Sequence, residues 1–496
     1  MEINFQQKTC PYLNTLVQQI QTQEQTQEVR LSDGMPDVGR ILGCWGQPLV
    51  RSKEWRSGEM VVSGGVMAWV LYAPEDGSQV RCVDAWVPFQ MKWSLPDTNQ
   101  DGTIRVHLSL KGMDCRNISA RKMMIRPGIS AMGEAFTTED AEIYVPEELP
   151  QDVHLLKSSY PLELPQEAGE KAFALEEEIS LPGTAKKIMC CQIMPSVTEQ
   201  KVLGDKMVFR GTCRMHILYL TEDGQIKAEK PEFGFSQFAE LDRLYGNYAM
   251  GNASVLPTGM ESELDENGKL ILKCGLAAQY VIFDRTMMEL VEDAYSNVRK
   301  VTPVMQMLKL PVKLDSVSQQ VPYEQTISVD GSRVLDVTCQ WELPGVRQSE
   351  NTAKAVLAAQ YHLLYEDEEG QYQSSTAHGE ISWEMPSDDE NCVMLNMRPS
   401  YPEGMLVGDG VRISGEIQMS AEVFSSCGMP MVTGLELGEQ VQPDVNRPAV
   451  ILRKVGGKRL WDLAKECSST VEAIEKANAL GEIPLEEEKI LLIPVC

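Results

Sequence analysis

The residue types that most often carry chemistry are few in this chain, and their spacings do not fit a reaction. There are five histidines, His107, His154, His216, His362 and His378. None forms the H-E-x-x-H pattern or another pair that would put two imidazoles beside one metal ion. A G-x-S-x-G elbow, which would raise a serine on a strained strand-to-helix turn, is absent. Gly457-Lys458 and Gly268-Lys269 would each need an upstream glycine to cradle a phosphate, and Leu452 and Glu263 stand there instead. The 13 cysteines are odd in number, include the adjacent Cys190 and Cys191, and form no C-x-x-C. They read as reduced, mostly buried thiols rather than as a disulfide framework or zinc site. The acidic runs Ser387-Asp388-Asp389-Glu390 and Glu486-Glu487-Glu488 lack the spacing and glycine of a calcium loop and read as solvated surface. The expectation is a non-enzyme that needs no cofactor and no metal.

One constellation points toward binding. The chain holds 45 basic and 72 acidic side chains, a net charge of -27, yet Arg447, Arg453, Lys454, Lys458 and Arg459 follow one another with no acidic residue between them. Such an island either docks an acidic protein face or is ordinary solvated charge. The charge of the whole chain disfavours nucleic acid and anionic lipid, because its long-range field has the wrong sign for phosphates. No stretch approaches the roughly 20 apolar residues of a membrane helix, and Met1 to Cys10 lacks the basic start and apolar run of a secretory signal. A cytoplasmic location is expected.

The elements that must position these residues fall into a threefold repeat. Val70-Leu71-Tyr72, Ile217-Leu218-Tyr219 and Leu363-Leu364-Tyr365 lie 147 and 146 residues apart (71 to 218 to 364). Five residues after each tyrosine stands a glycine, Gly77, Gly224 or Gly370, preceded by acidic residues, which reads as a turn after a strand. Thirty residues before each leucine stands Ile41, Ile188 or Val334, following Arg40, Lys187 or Arg333. His216 and His362 fall on the position of Trp69, so they read as places in a fold rather than as reactive groups. Val29 with Leu31, Ile179 with Leu181 and Ile327 with Val329 alternate apolar and polar, the period of a strand with one face on the core and one in water. Further strands are expected over Met60 to Leu71, Thr103 to Leu110, Val411 to Phe424, and Lys269 to Val281 with a glycine break. Pro161 and Pro311 hold the stretches ahead of the second and third units extended, so these read as first strands, and Gln18 to Gln27 similarly in the first unit. Among the 26 methionines, Met123, Met124, Met207 and Met215 are expected to fill cores.

After Asn446 the apolar period changes to 3.6, with Leu460, Leu463, Ala464 and Cys467 on one helix face. Ser469 and Glu472 fit a capping box for a second helix that ends near Asn478. Val450 to Leu452 and Ile490 to Ile493 read as short flanking strands. The expected architecture is therefore mainly β. Three tandem β-sandwich-like domains, 1–145, 146–300 and 301–442, precede a small α+β domain of strand, helix, helix and strand at 447–496.

Gly457, Leu460-Trp461-Asp462-Leu463-Ala464, Thr470-Val471-Glu472, Ala477-Asn478-Ala479-Leu480 and Ile490-Leu491-Leu492-Ile493-Pro494 make this last segment resemble a LysM domain. The resemblance implies a groove for N-acetylglucosamine polymers between the loop before the first helix and the loop before the last strand. The usual loop carries an acid and a hydroxyl after its glycine, whereas here Gly457 is followed by Lys458 and Arg459. Two cations at a helix start oppose its dipole and forgo a cap that stabilises by about 1 kcal/mol. Arg453, Lys454, Gly457, Lys458, Arg459 and Trp461 are accordingly the candidate partner-binding residues, Trp461 being either a core anchor or a contact. With Gly64 and Gly211 leading into the Leu-Tyr strands, and with Trp86-Val87-Pro88-Phe89 and Phe233-Gly234-Phe235 after them, the tandem plus LysM order resembles the SPOCS-domain proteins of endospore formers. In the third unit Leu357 replaces the glycine and Trp383 stands near the aromatic position. The resemblance implies a scaffold in the mother-cell cytoplasm that binds the morphogenetic ATPase of the coat basement layer and promotes encasement of the forespore. The competing expectation is a peptidoglycan-binding wall protein.

Overall fold

The protein is described from a computed structural model. It describes residues 2–96, 101–349, 352–386, 391–408, 410–425, 428–441, 448–455, 457, 459–479 and 489–495. The acidic runs at 387–390 and 486–488 and the cations Arg447 and Lys458 lie outside these residues. Strands dominate, and the two helices among the described residues both lie in the terminal segment.

Each repeat builds two antiparallel sheets. Sheet I of the first unit consists of Val38–Arg56, Glu59–Pro74 and Arg81–Ser94. In the second unit it is Ala185–Leu203, Lys206–Thr221, Ile226–Glu229 and Glu232–Glu240, and in the third Arg333–Trp341, Gly345–Ser349, Thr352–Glu366 and Tyr372–Pro386. The repeat is kept to the residue: Ile41 pairs with Tyr72, Ile188 with Tyr219 and Val334 with Tyr365, and a register shift follows each pair at once. The turn glycines Gly77, Gly224 and Gly370 have φ of 70, 83 and 73°, the left-handed region that glycine enters without a Cβ clash.

Sheet II is built on a long antiparallel pair of strands that are remote in sequence. In the second unit Val153–Ile179 pairs along Leu270–Ser296, with Met250–Leu264 on the other side. The first unit uses Phe5–Glu24, Gln27–Arg30, Thr103–Ser119 and Lys122–Pro146, and the third uses Val312–Ser328, Asn391–Pro399, Glu403–Val407 and Gly410–Ser425. The stretch bearing Pro161 lies within a strand of these sheets, Pro311 stands in the two-residue break just before Val312–Ser328, and the Gln-rich segment is strand except at residues 25 and 26. The glycine break expected within Lys269 to Val281 is not there. Leu270–Ser296 runs through Gly275, and the irregularity sits in its partner, between Pro257 and Gly259. In the third unit this long strand pair is continued by Arg299–Lys309 and Gly428–Gln440, to which Glu2–Ile3 of the first unit adds a third strand.

The third copy departs from the others where its sequence does. A Cβ on Gly64 or Gly211 would stand 2.1 Å from the carbonyl oxygen of Leu49 or Ser196, and Phe89 or Phe235 packs against the bare backbone. Leu357 cannot accept that approach. The strand that would lie opposite it stops at Trp341, resumes at Gly345, and leaves Leu357 without a register partner on that side.

The middle strands of sheet I bury both faces. Ala68, Val70 and Tyr72 point into the first unit's own core with Val106 and Ile125 of sheet II, whereas Trp69 and Leu71 join a second cluster with Met189, Leu218 and Leu364 of the other two units. The alternation of core and water thus does not extend to these strands, whose apolar residues are contiguous because no face meets solvent. A third cluster gathers Tyr12, Leu162, Leu164, Met288, Leu310 and Met431 from all three units. Met123, Met207 and Met215 are buried as expected, and Met124 is half-buried.

Polar contacts close the three units into a ring. Between the first and second, the Gln192 side chain donates to the Gly46 carbonyl (2.7 Å), and the Gln279 amide both donates to and accepts from the backbone of Val106 (2.8 and 2.9 Å). Between the second and third, His216 Nε2 meets Asp336 Oδ2 at 2.8 Å, and Lys230 donates to the Val337 carbonyl at 2.9 Å. Between the third and first, Trp45 donates to Thr338 Oγ1 (3.2 Å) and Met113 N donates to Gln360 Oε1 (3.2 Å).

Candidate functional site

The terminal module forms because two short amphipathic helices, Leu460–Cys467 and Val471–Asn478, cover one face of a two-stranded sheet, Val450–Val455 with Lys489–Pro494. Leu463, Ala464, Cys467, Ile474, Leu491 and Ile493 are its buried centre. Asn478 ties the second helix to the sheet: its amide donates to the Leu492 carbonyl (2.6 Å) and accepts from Leu492 N (2.7 Å), replacing a strand edge.

The helix starts differ. Arg459 stands at the first N-cap with no side-chain cap bond, as the loss of the loop hydroxyl leads one to expect. The second cap is Thr470, which accepts from Ala473 N at 3.1 Å, so the capping box placed on Ser469 is one residue out of register. Ser469 is fully buried instead, and its carbonyl accepts from Tyr295 Oη and Asn297 Nδ2, both at 3.0 Å.

The candidate residues are not drawn into one groove. Arg453 reaches back to the first helix, 2.7 Å from Glu466. Lys454 is exposed on the outer face of the sheet, opposite Ile490. Gly457 is exposed with φ of 70° and open space about its Cα. Lys458 lies outside the described residues. Arg459 pairs with Asp462 at 3.2 Å and approaches Glu292 at 4.0 Å. Trp461 is only 7 % exposed: its ring packs edge-on against Tyr295, and its Nε1 donates to Asp293 Oδ2 at 2.8 Å.

Asp293 is the hub of this contact. It sits just after a register shift near the end of Leu270–Ser296, and both its oxygens also accept from Lys465, at 2.9 and 2.8 Å. Burial works against its charge, but the hydrogen bonds from Lys465 and Trp461 outweigh it and hold the carboxyl below the usual range. Sequence reasoning missed Asp293, Tyr295 and Asn297 because they belong to the second β unit and carry no motif. The one available signal was charge, Glu292-Asp293 in the second unit against Arg459 and Lys465 in the module.

Other titratable groups lie buried in the β units. The Arg105 guanidinium meets Glu134 in a buried pair (2.5 Å). Burial would raise the Glu134 carboxyl, yet Arg105 and His107 bring it down to about 2. Burial lowers His362 to about 4, and its Nε2 lies 3.2 Å from the Leu42 carbonyl. Burial likewise pushes the thiols of Cys82, Cys191 and Cys274 up to about 12, which disfavours thiolate chemistry. A cavity of about 280 Å³ lies where the units meet, beside Trp45, Gln47, Gln192, Gln279 and Thr338. The polar groups of these side chains are already engaged between units. Among the described residues no group of three or more His, Cys, Asp or Glu could hold a metal ion, and no helix is long and apolar enough to cross a membrane.

Residues 184–255 match the family model described as SipL, SPOCS domain. This stretch spans sheet I of the second unit and the start of Met250–Leu264, so the glycine, the Leu-Tyr strand and the aromatic segment of that copy all lie within it. No curated protein and no solved structure matches the chain. The match gives the second unit a likeness to a sporulation domain and the chain a sporulation-related role.

Proposed function

We propose that this protein is a non-enzymatic scaffold of endospore coat assembly, acting in the mother-cell cytoplasm at the forespore surface. In this reading the three units are tandem β-sandwich domains of the SPOCS type. The terminal module is a LysM domain that docks the morphogenetic ATPase of the coat basement layer and so promotes encasement. The observation that carries the reading is the family match over 184–255, read together with the register that the three copies share. The polar groups at the unit junctions bond one another, which suits a rigid carrier better than a reaction site.

Peptidoglycan binding is the second reading, favoured by the strand, helix, helix, strand order of the module. Against it stand the loop without its acid and hydroxyl and the engagement of Trp461 by Asp293 and Tyr295. Removing 447–496 should abolish capture of the purified ATPase while the β body stays folded by circular dichroism. Peptidoglycan pull-down of the full chain should recover nothing above background. Normal ATPase capture by the truncated chain contradicts the docking role, and retention on peptidoglycan supports the second reading.

A further inference from the structure

The junction side chains described above bond one another, but a second set at the same place does not. Arg105 of Thr103–Ser119 reaches Asn252 of Met250–Leu264 at 3.5 Å and the sulfur of Met394 in Asn391–Pro399, so three strands, one from each unit, meet there. Two residues further along them stand His107, Ser254 and Asn396. Alternate residues of a strand share a face, and all three line the cavity of about 280 Å³ where the units join. Ser254 Oγ is buried without a hydrogen-bond partner among the described residues, and so is Gln340 Oε1 in the wall supplied by the third unit. His107 Nε2 stands 3.6 Å from Glu134 Oε2, too far for a hydrogen bond. Buried polar atoms are nearly always bonded, so atoms left over around a cavity mark a place for the polar groups of a ligand.

Charge selects the ligand. Among the described residues the cavity wall holds no aspartate or glutamate, in a chain of net charge -27, yet it holds Arg398. Two residues beyond Asn396 and on the same strand face, Arg398 is half-buried, and its Nη1 donates to the Val197 carbonyl at 2.6 Å. Burial disfavours its charge, the Arg214 guanidinium adds to this, and no carboxylate offsets either. A partly desolvated cation without a counter-charge is costly, and an anion placed beside it relieves that cost. The guanidinium also offers further N–H groups in a planar fork that matches a carboxylate. Much of the remaining wall is apolar, including Pro48, Val255, Leu343 and Met397. A protein cavity of about 150 Å³ takes up benzene, so the larger one here accommodates a ring that carries a charged group.

We infer that the cavity where the three units join is a binding site for a small aromatic monocarboxylate. Its carboxylate meets Arg398, and its ring lies against the apolar wall within reach of Ser254 and Gln340. The inference goes beyond the scaffold role and does not depend on it. Because the wall comes from all three units, the ligand binds only the closed ring and stabilises it by mass action.

The test uses the full chain at neutral pH, with benzoate and its uncharged counterpart benzamide as probes. Isothermal titration compares wild type, Arg398→Gln, Arg398→Lys and Ser254→Phe, and circular dichroism checks the fold of each. One benzoate should bind per chain, and benzamide at least tenfold more weakly. Arg398→Gln should lose at least tenfold toward benzoate while its affinity for benzamide stays within twofold, and Arg398→Lys, which keeps the charge, should lose less. Ser254→Phe fills the cavity and should abolish the binding of both. Benzoate should also slow hydrogen exchange in Thr103–Ser119, Met250–Leu264 and Asn391–Pro399 together. If wild type takes up no benzoate, the cavity holds ordered water alone and the inference is overturned. Equal affinity for benzoate and benzamide overturns the carboxylate assignment. Benzoate that binds Arg398→Gln or Ser254→Phe as tightly as wild type sits elsewhere and overturns the site. If Arg398→Gln does not fold, Ser254→Phe and the preference of wild type for benzoate over benzamide decide the matter.

Discussion

The contacts that join the three β units and the contact that holds the terminal module differ in depth. The body contains pairs closed off from water: Arg105 and Glu134 are 2 and 0 % exposed, and His216 and Asp336 are both 0 % exposed. At the module, Lys465 and Asp293 keep 44 and 22 % of their side-chain surface. A buried pair that loses one member strands the other in a low dielectric, whereas a half-exposed pair is relieved by water. The body should therefore respond to substitution as one cooperative object, and the module should come away from it at modest cost.

The largest effect is expected at the centre of the body. Glu134→Ala leaves Arg105 buried and unpaired and should destabilise the chain by about 3 to 5 kcal/mol in chemical denaturation. The junction between the third and first units adds a pH signature. His362 has its pKa lowered by burial, from 6.5 to about 4, so the unfolded chain takes up a proton that the folded chain refuses. Stability is then fully present above pH 6.5 and falls as the pH drops toward 4. The loss is up to about 3 kcal/mol, reduced because the ring keeps some contact with solvent. His362→Gln should flatten that segment of the stability profile.

The second and third units give an intermediate test. Gly211→Ala places a Cβ against the Ser196 carbonyl and the Phe235 ring, and should cost about 1 to 3 kcal/mol by overpacking. The equivalent position in the third unit has already opened its sheet at Trp341 to Gly345, so Leu357→Ala should not restore the pairing. It should destabilise instead by emptying a fully buried site, by about 2 to 5 kcal/mol. The smallest effect is expected at the module. Asp293→Asn removes the charge that Lys465 and Trp461 share and should change global stability by about 1 kcal/mol or less. It should nevertheless raise hydrogen exchange over 460–478 and shift Trp461 fluorescence toward that of an exposed indole. Because Asp293 is held below the usual carboxylate range, the wild-type contact should persist at neutral pH and be lost as the pH falls through its lowered pKa.

Much of this architecture is legible in the sequence because it is local. The turn glycines, the spacing of Ile41 from Tyr72 and of its counterparts, and the change to helical period at Leu460 all follow from backbone geometry within one element. What is not legible arises between copies. Trp69 and Leu71 look like ordinary strand residues until two further copies are placed against them. His216 gives no sign of Asp336, 120 residues away. The cap falls on Thr470 and not on Ser469 because the Ser469 N–H, which a capping box would offer to Glu472, already donates to the Ala464 carbonyl at the end of the first helix. The candidate site is legible as a basic island, but the engagement of Trp461 by Asp293 and Tyr295 of the second unit is not.

Three copies close into one body that carries a separately attached module. Native-state hydrogen exchange on the full chain, read by mass spectrometry across increasing denaturant, tests it most directly. The central strands Glu59–Pro74, Lys206–Thr221 and Thr352–Glu366 should converge on one opening free energy and one denaturant slope, with 460–478 opening earlier. Three distinct opening energies, one for each repeat, would contradict the closed ring.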